Sequence, residues 1–146
     1  MKVDKISFKN INNSSKVKTS EETASSSFSQ LFDQKNENKR KDELLKMMDD
    51  IKEHSEKLID SKNVEILVTY KKMIKNFISQ AVDFAFEIQD KRGMSRIGRN
   101  KILKTIAMID ESLVEITQNF LSDERNKIEM LSKIGELQGL MMNLFV

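Results

Sequence analysis

Hydrophobic positions along the chain recur at steps of three and four, the period of an amphipathic helix, but only after a long polar beginning. Residues 1–27 are rich in Ser, Thr, Asn and Lys, as in SSKVKTSEETASSS, and offer too little apolar surface to offset the entropy of ordering a backbone. They predict a disordered tail. Phe28, Leu31 and Phe32 then sit at i, i+3 and i+4, which predicts a short helical patch, and the polar run QKNENKRKD from Gln34 to Asp42 predicts a linker over the rest of 28–41. A helical bundle domain is expected over 42–146.

Within that domain Leu44, Leu45, Met48, Ile51, Leu58 and Ile59 mark a first helix ending near Asp60. The segment SKN at 61–63 supplies polar capping candidates and is too short for a wide loop, so the next helix folds back antiparallel. That helix is expected from Val64 to Lys91, with a seam of Val64, Leu67, Lys71, Ile74, Ile78, Ala81, Ala85 and Ile88, widened by Val68, Phe77, Val82 and Phe84. Gly93 stops it, with Lys91 and Arg92 favourably placed at its last turn. A third helix is expected to begin near Asn100 and to carry Ile102, Ile106, Ile109, Leu113, Ile116 and Phe120 on one face. The seam keeps its register through Asp123 and Lys127 to Met130, Ile134, Leu137, Met141 and Leu144. Periodicity alone allows one helix of ~45 residues or two helices parted by a turn near Ser122 and Asp123.

Composition agrees with an all-α fold, since the 146 residues include no proline and only four glycines. Absence of cysteine excludes disulfides, thiolate metal sites and a cysteine nucleophile. Charges interrupt the opening MKVDKISFKN where a signal peptide needs an apolar run, and no stretch approaches the ~18 uninterrupted apolar residues of a membrane span. The reading is a soluble cytoplasmic protein with no membrane partner. Net charge is +2, but residues 90–104 carry six cations against Asp90 alone, while residues 105–146 carry three cations against seven acids.

Three stretches, TYKKMIKNF (69–77), RIGRNKILKTIAMIDESLVEIT (96–117) and IGELQGLMMNLFV (134–146), resemble the YaaR family of small, uncharacterised bacterial proteins in both order and spacing. The likeness covers roughly residues 42–146. It implies an up-and-down four-helix bundle, and so favours a break near Ser122. It implies no enzymatic activity and no cofactor.

Candidate chemistry is sparse. A di-iron bundle needs two Glu-x-x-His pairs plus two further Glu, whereas the chain has one histidine, His54. No metal is expected, and Asp49, Asp50, Glu53 and Glu56 read as a solvated helix face. A serine triad would have only His54 as its base, without a Gly-x-Ser-x-Gly turn or a phosphate-binding glycine loop. Lys71 interrupts the apolar seam beside Tyr70. A buried ammonium must be paired or reach water, so Lys71 is expected either to pair with Asp110 or Glu111 or to snorkel at the seam's edge. Gly135 and Gly139 each cost about 1 kcal/mol inside a helix, which predicts a tight helix crossing, within the bundle or between subunits.

The stretch GMSRIGRNKILK (93–104) places Arg96, Arg99, Lys101 and Lys104 where the helix dipole mildly disfavours cations. Either Ser95 or Asn100 caps the helix while the cations project into water, or they bind an anion. Two functions follow. The first is a non-enzymatic interaction module, binding itself or another protein. The alternative is a phosphate-centred binder of nucleic acid or a nucleotide, though no interleaved aromatics or DNA-binding motif accompany the basic residues.

Overall fold

The computed structural model describes residues 13–93 and 96–145. Among them are four helices and no strand: α1 (Asn13–Asp60), α2 (Val64–Lys91), α3 (Arg96–Leu121) and α4 (Lys127–Asn143). The chain divides into two compact units, one up to Arg40 and one from Lys41 to Val146.

In the first unit the backbone is helical from Asn13, inside the stretch whose composition predicts a disordered tail, and residues 1–12 lie outside the described residues. The expected linker at Gln34–Asp42 is continuous helix. No proline or glycine occurs between Asn13 and Asp60, and the Lys, Glu, Gln and Arg of this run are good helix formers, so nothing local breaks the ladder. Phe28, Leu31 and Phe32 remain exposed on it.

The second unit is a four-helix bundle whose core follows the predicted seams. Leu44, Ile51 and Leu58 of α1 are buried together with Leu67, Ile74, Phe77 and Ala81 of α2. From α3 and α4 come Ile109, Leu113, Ile116, Met130, Ile134 and Leu137. Each fully buried aliphatic side chain contributes about 1.5–3 kcal/mol relative to exposure, so these stripes are the main force holding the unit. Val64 and Val68, expected in the α2 seam, instead stay about half exposed.

The connections follow from their residues. Asn63 caps α2, its side chain accepting from the Glu65 amide at 2.9 Å. Gly93 ends the α2 turn at φ +79°, a left-handed conformation that side chains with a Cβ rarely adopt. Helix α3 begins at Arg96 rather than near Asn100, so Asn100 lies inside it and cannot cap it; Ser95 is outside the described residues. The early start brings Gly98 onto the end of α2, where a Cβ would lie 2.8 Å from Gln89 Oε1. Between α3 and α4 the chain breaks over Ser122–Asn126, and Asn126 caps α4 by accepting from the Ile128 and Glu129 amides at 3.0 and 3.1 Å. The seam holds its register across this break because the turn residues are polar and the apolar spacing resumes in phase.

Arg125 fastens this break to the far end of α1. Its guanidinium donates to the carbonyls of Leu58, Ile59 and Ser61, with Ile59 O at 3.0 Å, and lies over the Phe120 ring with Cζ 4.5 Å from the centroid. Carbonyls at a helix C-terminus lack intrahelical partners, and the fork of an arginine serves several at once. Nearby, Lys127 Nζ lies 3.5 Å from Asp60, a solvent-exposed pair.

The tight crossing predicted at Gly135 and Gly139 does not occur among the described residues. Both are exposed, and a Cβ at either would meet nothing within 4 Å. They lie outside the seam formed by Met130, Ile134, Leu137 and Met141, so none of the described helices approaches them.

Candidate interaction surface

Sequence reasoning singled out Lys71, and the bundle places it half-buried on α2, one residue beyond the fully buried Tyr70. It forms no ion pair with Asp110 or Glu111, which are exposed on α3. The expected pair within the chain is therefore absent among the described residues. A lysine's four-carbon stem is long enough to bring an ammonium from a half-buried position to water.

Tyr70 is the more constrained neighbour. Its ring stacks on that of His54, with centroids 6.4 Å apart and planes 11° from parallel, while His54 Nε2 lies 3.0 Å from the Ile66 carbonyl. The only histidine of the chain is thus an α1–α2 packing element. The Tyr70 hydroxyl is buried with no hydrogen-bond partner among the described residues, and burial pushes its pKa far above the ordinary tyrosine value.

The basic residues of 96–104 are all exposed, but they diverge. At about 100° per residue, Arg96 and Arg99 fall on the flank of α3 that carries Leu103, while Lys101 and Lys104 fall on the flank of Glu115. That second flank faces α4, because Glu115 Oε1 lies 3.2 Å from Lys133 Nζ. The hydrogen bond to Glu115 holds the Lys133 ammonium above its usual pKa. The four cations are not brought to one point.

What the sequence did not single out is an apolar row off the seam. Leu103, Val114 and Leu121 of α3 are 53%, 54% and 59% exposed and share one flank with Asp110. Val64 and Val68 of α2, 53% and 45% exposed, share a flank with Lys71 and Lys75. The opposite flank of α2 faces α1 through Ile66 and His54, and the opposite flank of α3 faces α4 through Glu115. Both apolar rows therefore line the outer side of the α2–α3 pair. Deviation from the core stripe was the available signal for Leu103, Val114 and Leu121, whereas the period placed Val64 and Val68 with the seam; only exposure shows that none of the described residues covers them.

Comparison with known proteins places the fold in a family. The family model described as protein of unknown function (DUF327) matches residues 3–145. An uncharacterised protein of Bacillus subtilis (strain 168), YaaR, is 30% identical over 129 residues, covering 88% of this chain and 87% of that one. The crystal structure of uncharacterised protein BH1478 from Bacillus halodurans superposes with a TM-score of 0.73 at 24% identity, over 81% of this chain and 97% of that one. The designed granulopoietic protein Moevan has the same helical fold at a TM-score of 0.68 and 24% identity, covering 75% of this chain and 94% of its own. With 143 of its positions matched by the model and the bundle shared, the chain belongs to the YaaR (DUF327) family of proteins of unknown function.

Proposed function

We propose that the chain is a non-enzymatic helical interaction module that works in the cytoplasm by presenting the outer side of α2 and α3 to a protein partner. The observation that carries this reading is the pair of exposed apolar rows, Val64 and Val68 on α2 and Leu103, Val114 and Leu121 on α3, interleaved with charge. Large aliphatic side chains gathered on one flank lose hydration cost only when something covers them. Two supporting points come from the candidate chemistry. His54 is engaged with Tyr70 and Ile66, and the cations of α3 diverge around the helix. No described helix is long and apolar enough to cross a membrane.

The test is photo-crosslinking in cells of the family's own bacterial type, with a photoreactive residue at position 114 and, as control, at the solvent-facing position 136. Protein adducts at 114 and none at 136 are expected. The phosphate-binding alternative gives the opposite result. In that case labelled DNA or RNA binds the purified chain, the affinity falls steeply with salt, and Arg96→Glu/Arg99→Glu abolishes it.

A further inference from the structure

We propose that the first unit is a pairing element: its stretch of α1 packs antiparallel on the same stretch of a second copy, about a two-fold axis beside Phe28. This goes beyond the reading of the α2–α3 surface and does not depend on it. The unit that ends at Arg40 contains one described element, the N-terminal part of α1, so its helix has no second helix within the unit to pack on. From Ser27 to Arg40 no side chain is buried, and Phe28, Leu31 and Phe32 are 58–72% exposed. An isolated polar helix is marginal in water, and large apolar side chains on it lose their hydration cost only when covered.

The residues around Phe28 say what covers them. Glu21 stands seven positions before Phe28 and Lys35 seven after, and at about 100° per residue both positions fall within about 20° of Phe28 around the helix. Ala24 and Ser25 precede Phe28 by four and three positions, while Leu31 and Phe32 follow it by three and four. Acid therefore mirrors base, and small mirrors large. A two-fold axis perpendicular to the helix at Phe28 sets position 21 level with Lys35 of the second copy and brings positions 24 and 25 beside that copy's Leu31 and Phe32. The angles agree with this, because 24 and 31 lie about 40° and 60° to one side of Phe28, and 25 and 32 about 60° and 40° to the other. Each contact occurs twice, as in any isologous dimer, and the large side chains enter gaps left by small ones. A parallel pair in register would instead set Glu21 against Glu21, Lys35 against Lys35 and Phe32 against Phe32. Like charges at that separation repel, so charge and volume both select the antiparallel arrangement.

The experiment is sedimentation equilibrium of the purified full chain over a concentration series, combined with charge variants and engineered cysteines. The wild type is expected to show a reversible rise towards twice the monomer mass. Glu21→Lys and Lys35→Glu should each raise the dimer Kd about tenfold, because the two-fold axis repeats each reversed contact, and both reversals in one chain should bring it back. Phe28→Asp should abolish association while the second unit keeps its cooperative thermal melt. The chain has no native cysteine. Mixing Ala24→Cys protein with Leu31→Cys protein should therefore give a mixed disulfide faster than either protein links to itself. A wild type that stays monomeric at every concentration overturns the inference. So does a dimer whose Kd ignores all three substitutions, since it then forms through another surface such as that of α2 and α3, and so does self-linking that outpaces the mixed disulfide.

Discussion

At the scale of single residues, Arg125 carries more of the fold than any other charged side chain whose contacts are described, since one guanidinium serves three carbonyls of the α1 terminus. Arg125→Ala leaves those acceptors without a charged donor and should cost about 2–3 kcal/mol in urea unfolding, measured by far-UV circular dichroism. Arg125→Lys should recover little of it, because an ammonium lacks the fork that reaches several acceptors. Tyr70 makes a pH-dependent prediction. It is the single tyrosine, so absorbance at 295 nm reports its ionisation alone among tyrosines. Burial holds its folded pKa above the ordinary value of 10.0, so the unfolded chain releases the proton first. The associated stability is complete below pH 10 and is lost as pH rises beyond it, and phenolate should appear together with loss of helix. Tyr70→Phe keeps the ring on His54 and removes an unpartnered hydroxyl, so stability at neutral pH should be unchanged or about 1 kcal/mol higher, and alkaline unfolding should move to higher pH. Arg125 had no signature in the sequence, because its partners are backbone carbonyls and backbone carries no residue code.

Helices show the clearest passage from sequence to structure. The α2 limits, Val64 and Lys91, follow from Asn63 as a cap before an apolar period and Gly93 as a stop, and the buried stripes largely follow the predicted seams, except that on α2 Tyr70 is buried while Val64 and Val68 are exposed. Two features escaped. Helix α3 starts at Arg96 rather than near Asn100, and Gly98 then lies against Gln89 of α2, a contact between helices that local propensity does not encode. The glycines of α4 were assigned to a crossing on spacing alone, yet spacing does not say on which side of a helix its neighbour lies. Since a Cβ at Gly135 or Gly139 meets open space, Gly135→Ala and Gly139→Ala should each stabilise the bundle by about 0.5–1 kcal/mol through reduced unfolded-state entropy and better helix propensity. Thermal melts of the single and double variants check this. The same logic explains the candidate surface: Leu103, Val114 and Leu121 are as apolar as the seam residues, and only their angular displacement from it leaves them to water.

For the whole molecule, the division at Arg40 predicts that residues 41–146 fold without the preceding unit, because every buried hydrophobic residue from Leu44 to Phe145 lies within them. The shortened chain should keep a cooperative melt with a midpoint within a few degrees of the full protein, since the omitted segment contributes none of those buried residues. A melt without a sigmoidal transition would show that the core needs the first unit. Fold class was legible because four amphipathic segments with short connections permit few packings; function was not, because an interaction surface has no residue code beyond exposed apolar area and charge. The Arg125 fastening also bears on time. Its hydrogen bonds join positions 64 to 67 residues apart, so closing them requires most of the chain to be in place already. They should form on the native side of the folding barrier, giving a φ-value near zero, so that Arg125→Ala accelerates unfolding while leaving the refolding rate almost unchanged.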